Sequence, residues 1–178
     1  MNAETDELVF RDSFVRIAGV EAESSVDGPG LRYVIFVQGC SHHCSGCHNP
    51  TTHDFYGGQV TDLWTHVKAL RANKLLKGLT ISGGEPFLQP LPLTMLAKEA
   101  HRLGLDVICY SGYTYEELRY AADAGQHVSE LLRQVDYLID GSFIEELKDI
   151  SLSIRGSSNQ RILVMKDGFM TEELGELT

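Results

Sequence analysis

The sequence predicts an α/β protein whose sheet is an open, curved partial (β/α) barrel of about five to six mainly parallel strands. Three observations lead there. Short runs of apolar and β-branched residues alternate with segments whose apolar residues recur at helical spacing, the pattern of strand-helix-strand units in a parallel sheet. Several runs end in turns of glycine and polar residues, such as Gly83-Gly84-Glu85-Pro86 and Ser111-Gly112-Tyr113. The units number about five, short of the eight that close a barrel. With 178 residues and no internal repeat or linker, the chain suits one domain spanning 1–178.

Residues 14–20 alternate weakly and read as an edge strand. They lead to the loop Val26-Asp27-Gly28-Pro29-Gly30, whose two glycines and proline describe a fixed turn. Residues 31–38 are nearly all apolar or β-branched, as expected of a strand buried on both faces. Thr61 or Asp62 caps a helix that carries Leu63, Trp64, Val67 and Leu70 at helical spacing. A strand over 78–82 then runs into Gly83-Gly84-Glu85-Pro86, where glycines let the backbone approach a ligand and Pro86 directs the exit. Helices follow over 93–103, over 114–124 with Thr114 and Glu117 as a capping box, and over 128–134. Strands are expected over 105–110, 136–141 and 161–165, the last after the polar loop 155–160.

Composition narrows the function. At 43% hydrophobic and 22% charged residues the chain is ordinary for a globular protein. Its net charge of −10 and lack of a basic stripe argue against nucleic-acid binding. No apolar run approaches the ~20 residues of a membrane span, and an acidic N-terminus is unlike a signal peptide. A cytoplasmic protein with free thiols is expected.

Three of the four cysteines, Cys40, Cys44 and Cys47, fall within eight residues, among Ser, His, Gly, Asn and Pro and directly after the apolar strand. Loop thiolates that close together can point at one centre, so metal or cluster ligation is the leading reading. Zinc held by the three cysteines with His43 or His48 is one alternative. An iron-sulfur cube on three thiolates, with one iron open to a substrate, is the other. Cys109 lies in a strand interior and reads as packing. The Glu85 turn, a carboxylate beside glycines at a strand end, suits a small cationic group.

The CxxxCxxC spacing at Cys40, Cys44 and Cys47, followed by Gly83-Gly84-Glu85-Pro86, resembles the radical S-adenosylmethionine (SAM) superfamily. Within it, Asp27-Gly28-Pro29-Gly30-Leu31-Arg32 is similar to the glycyl-radical-enzyme activases. The Cys-Ser-Gly-Cys ending of the cysteine loop, the strand ending Asp140-Gly141, and Arg155-Gly156-Ser157-Ser158-Asn159-Gln160-Arg161-Ile162 resemble the activating proteins of anaerobic (class III) ribonucleotide reductase, over about residues 14–165.

The resemblance implies a [4Fe-4S] cluster on Cys40, Cys44 and Cys47, with SAM chelating the fourth iron. It implies that Gly83, Gly84 and Glu85 meet the methionine amino group, and that Ser111 and Asp140 line the SAM or an associated cation site. The implied reaction is reductive cleavage of SAM, whose 5′-deoxyadenosyl radical takes a hydrogen from a glycine in the large reductase subunit. A one-electron donor such as flavodoxin is implied. Asp27 borders the mouth where the partner's glycine loop would enter. The chain departs from the pattern at Gly46, where many members carry an aromatic residue, leaving His48 or backbone groups as candidates to pack on the adenine. The lysine that follows the carboxylate strand in a related activase is also missing, and Arg155 is either the substitute cation for the SAM carboxylate or a solvated loop arginine. Other readings are an activase of a different glycyl-radical enzyme, a small radical SAM enzyme such as a deazapurine synthase, and a zinc-binding interaction module.

Overall fold

The computed structural model describes residues 3–125 and 127–177; Met1 and Asn2 of the acidic N-terminal segment lie outside them. Five helices run over Ala3–Arg11 (α1), Leu63–Ala72 (α2), Pro90–Arg102 (α3), Tyr115–Asp123 (α4) and Val128–Leu132 (α5). Eight strands run over Phe14–Ser24 (β1), Arg32–Val37 (β2), Gln59–Asp62 (β3), Gly78–Gly83 (β4), Asp106–Tyr110 (β5), Tyr137–Asp140 (β6), Arg161–Lys166 (β7) and Phe169–Leu174 (β8). No helix among the described residues is long and apolar enough to cross a membrane.

The expected partial (β/α) barrel of mainly parallel strands is overturned. The strands form one mixed sheet in the order β3-β1-β2-β4-β5-β6-β7-β8. Only β2, β4, β5 and β6 pair in parallel, while β1 and β3 on one flank and β7 and β8 on the other pair antiparallel. Connection length explains the difference, because a parallel return needs a crossover of a dozen or more residues, usually helical. Residues 25–31 are too few for one, so β1 and β2 are antiparallel. Between β6 and β7, residues 141–160 contain only a single 3-10 turn at Glu145–Leu147 and an isolated bridge between Lys148 and Ser157. With no helix to carry it across, β7 returns antiparallel. β1 is not the edge strand expected, since β3 covers it. A hairpin joins β7 to β8 through Asp167 (φ 52°) and Gly168 (φ 83°), the Asp-Gly turn that suits the twist of such ribbons.

Several local readings hold. Asp62 caps α2 by accepting from the Thr65 amide, and Thr114 with Glu117 completes the capping box of α4. The period-2 alternation of the strands divides the sheet into two faces. Ile35, Leu79, Ile81, Val107, Cys109, Leu138 and Leu163 face the helices and pack with Leu63, Val67, Leu96, Ala97, Leu131 and Leu132 in the main core. The residues between them face the other way. There Ile108, Ile139 and Ile162 form a smaller cluster that includes no helical residue. That second face holds the cavity described below.

His66 of α2 is buried in the main core, with Nδ1 2.8 Å from the Tyr33 hydroxyl and Nε2 2.7 Å from Thr61 Oγ1. Burial lowers its pKa below the usual 6.5, against an opposing pull from Asp62. A depressed histidine pKa means that the unfolded chain binds the proton first. This contribution to stability is therefore complete above about pH 6.5 and is lost as pH falls below it. In urea titrations between pH 7.5 and 5, His66→Gln should flatten the acid-side fall in stability by up to about 1.4 kcal/mol per pH unit. Parallel pH profiles for wild type and variant would remove His66 as the cause.

Candidate functional site

A cavity of about 430 Å³ opens on the helix-free face at the carboxyl ends of β2, β4, β5 and β6. This is where ligands bind in open α/β sheets, because the loops leaving parallel strands converge there. Cys40, Cys44 and Cys47 line it, together with Gly83, Gly84, Ser111, Arg155 and Asp27. Elements far apart in the chain thus bring most of the sequence-predicted site residues to one chamber.

The cysteine loop leaves β2 at Gln38 and is tied back to the segment that follows it. The Gly39 amide donates to Thr52 O at 2.8 Å and the Cys40 amide to His53 O at 3.4 Å. At its tip Ser45 Oγ donates to Glu145 Oε2 at 2.6 Å. A Cβ on Gly46 (φ 66°) would lie 2.8 Å from the carboxyl carbon of the exposed Glu145, which can swing aside, so a side chain at this position is opposed mainly by the left-handed backbone. All four cysteines are free thiols. Cys40 is buried, and burial pushes its thiol pKa up. Cys109 is fully buried on the opposite, helix-facing side of the sheet, with its pKa raised well above the usual value by the same cause. It packs, as expected, and does not reach the cavity lining.

What comes close to the glycine turn is protein backbone. A Cβ on Gly83 (φ 97°) would lie 2.5 Å from Val37 N, and one on Gly84 2.3 Å from Gly39 O. The Gly84 amide donates to Val37 O and the Glu85 amide to Gly39 O, each at 2.8 Å. The turn therefore extends the β2–β4 ladder onto the root of the cysteine loop. Gly84→Val should cost roughly 1–3 kcal/mol by overpacking and lower iron content together with stability. Full iron loading at an unchanged melting temperature would show that the loop yields without consequence.

Glu85 and Asp140 lie outside the cavity lining. Glu85 is fully buried and accepts from Ser111 Oγ (3.0 and 3.1 Å), Gly112 N (2.8 Å) and Phe87 N (3.0 Å), with His42 Nε2 at 2.9 Å. Asp140 is fully buried and accepts from Tyr115 N at 2.6 Å and from Arg161 Nε at 2.9 Å. Both carboxylates thus tie strand ends together. Asp27 is held by Ser24 Oγ at 2.5 Å, and its carbonyl accepts from Thr80 Oγ1 at 2.9 Å. The buried Arg32 donates to Pro29 O (3.2 Å) and Thr80 Oγ1 (2.7 Å), which anchors the loop as the fixed turn its sequence suggests.

Sequence reading overlooked His42, His53, Gly112 and Phe143 as cavity residues. His42 lay within the cysteine motif, but nothing local shows where its ring points. Phe143 carries no motif, and it meets His48 at 4.9 Å between ring centroids.

Two features bear on what the cavity accommodates. Among the described residues, the buried side-chain nitrogens without a partner are His53 Nε2 and Arg155 Nε, and both residues line this cavity. Buried donors of this kind ordinarily have partners, so a polar or anionic ligand group fits here. No group of three His, Cys, Asp or Glu side chains among the described residues is set for a single metal ion. The three thiols line the same chamber of about 430 Å³.

The fold and the thiol-lined cavity define an iron-sulfur domain on an α/β sheet, and a family model described as a 4Fe-4S single cluster domain matches residues 26–163. The chain is similar to the anaerobic ribonucleoside-triphosphate reductase-activating protein of Escherichia coli K12, at 34% identity over 76% of this chain and 89% of that protein. It is 34% identical to the protein of the same name from phage T4, over 80% and 90% of the two chains, and 37% identical to that of Pasteurella multocida, over 77% and 89%. The chain belongs to the family of anaerobic ribonucleoside-triphosphate reductase-activating proteins.

Proposed function

We propose that the protein is a radical SAM activase that generates the glycyl radical on the large subunit of an anaerobic ribonucleotide reductase. The observation that carries this reading is the meeting of Cys40, Cys44 and Cys47 with the Gly83-Gly84 backbone and Arg155 around one cavity. Three thiolates suit a [4Fe-4S] cluster whose fourth iron is left to a substrate. When bound, the cluster and SAM supply the one-electron cleavage and the radical chemistry that the sheet only positions. Cys40, Cys44 and Cys47 would hold the cluster. Arg155 Nε, which has no partner, would be available to the SAM carboxylate, the Gly83-Gly84 backbone and Ser111 would border the methionine end, and His48, which meets Phe143, would serve the adenine. The same reading takes a one-electron donor such as flavodoxin as a second partner and the reducing cytoplasm, where thiols stay free, as the compartment.

Asp27 tests the partner's place. It lines the mouth but has no thiolate neighbour in its hydrogen bonding, so its carboxylate can accept from backbone amides of an entering glycine loop. Asp27→Ala should spare 5′-deoxyadenosine release driven by a strong reductant and lower the glycyl-radical spin count on the reductase by roughly ten- to a hundredfold. Equal losses of both would move Asp27 into the SAM site or the fold. A wild-type protein that releases no 5′-deoxyadenosine after anaerobic loading with iron and sulfide would sink the whole reading.

A further inference from the structure

His42 sits between Cys40 and Cys44, yet its ring turns inward, with 14% of the side chain exposed. Its Nε2 lies 2.9 Å from Glu85 Oε2. Every other partner of that carboxylate is a donor, namely Ser111 Oγ, Gly112 N and Phe87 N, so His42 joins them by donating through Nε2. The ring also packs edge-on against Tyr113, 4.4 Å between centroids. Gly112 supplies an independent observation. A Cβ there would lie 2.5 Å from His42 Cδ2 and 2.7 Å from Nε2, although the backbone at Gly112 does not adopt a positive φ. The imidazole thus occupies the space that a side chain at Gly112 would take, at a position whose own φ does not call for glycine.

We propose that His42 is a positioning residue whose hydrogen bond to the buried Glu85 clasps the cysteine loop to the ends of β4 and β5. The inference rests on reading residues 40–47 as the cluster loop, and it gives the Glu85 carboxylate a task apart from the cofactor. An unclasped loop must lose conformational freedom each time it gathers a cluster, whereas a clasped one has lost it on folding. Groups that orient ligand-bearing segments from behind commonly govern how well a centre is held.

The test uses the full-length chain, free of iron, under anaerobic reducing conditions. Iodoacetamide labelling is followed at each cysteine by peptide mass. In His42→Phe, which keeps a ring against Tyr113 but no donor, labelling of Cys40 should rise roughly ten- to a hundredfold, while Cys109 stays protected. His42→Gln retains a donor and should stay near wild type. Gly112→Ala leaves His42 and every cysteine in the sequence unchanged, yet by displacing the imidazole it should reproduce His42→Phe, and the double variant should be no worse. After anaerobic loading, iron retained against a chelator should fall in the same order.

Unchanged Cys40 labelling in both His42→Phe and Gly112→Ala would overturn the clasp, as would a His42→Gln protein that behaves like His42→Phe. A matching rise at Cys109 would make the effect a general loss of fold and overturn it too. Because the labelling needs neither iron nor SAM, its failure would leave the proposed activity standing. A wild-type protein that never assembles a cluster would defeat that activity and leave the labelling result intact.

Discussion

Cys40→Ala, Cys44→Ala and Cys47→Ala should each abolish the iron-sulfur centre, and Cys109→Ala should keep it. Of the four cysteines only these three line the cavity, so none is left there to replace a missing one. Cys109 lies on the far face of the sheet, closed in by the helices, with a thiol that burial keeps protonated. Iron and sulfide per chain after anaerobic loading, with the visible absorbance, decide the matter. Cys109→Ala should show itself only as a small loss of stability, near 1 kcal/mol for a buried side chain trimmed by one atom. Loss of the cluster in Cys109→Ala would indicate ligation by four thiolates and end the mechanism that needs an open iron. Zinc bound stoichiometrically in place of iron would revive the interaction-module reading.

Glu85→Ala should destabilise the protein by about 3–5 kcal/mol, the scale for removing one partner from a buried charged network. The carboxylate has no solvent exposure and takes donors from the cysteine loop, the end of β5 and the turn that follows β4. Its removal strands those donors in a closed space, each costing about 1–3 kcal/mol. Urea unfolding of the iron-free chain measures the effect. Glu85→Gln, which preserves volume and one acceptor oxygen, should fall between. A carboxylate whose task was to meet a ligand amino group would give a different result, with SAM affinity lost at unchanged stability. That outcome would return Glu85 to the cavity.

Sequence legibility followed the range of the signal. The cysteine spacing, the caps Asp62 and Thr114, and the buried strands at β2, β4, β5 and β6 all rest on residues within a few positions of one another, and the structure contains each of these elements. The hairpin of β7 and β8 was also legible, since Asp167-Gly168 soon after the apolar run 162–165 is a strong turn signal that the reading of the sequence missed. Helix α1 and strand β3 offered less. Gln59–Asp62 is four residues long, exposed or half-buried, and is a strand only because β1 lies beside it.

By itself, the sequence determined that three thiols leave one loop at the carboxyl end of a buried strand, and that a glycine turn ends a second buried strand further along the chain. Short spacing and residue periodicity act through local backbone geometry, which needs no knowledge of the rest of the chain. Only the tertiary structure decided the directions of the flanking strands, because these depend on whether a connection is long and helical enough to cross the sheet. It alone decided which polar side chains face the cavity. Glu85 and Asp140 sit at strand ends as expected, but Glu85 meets partners 26, 27 and 43 positions away and Asp140 meets Arg161, 21 positions on. A buried carboxylate turns toward whichever donors the fold assembles around it, because leaving it unpaired costs more than any local preference.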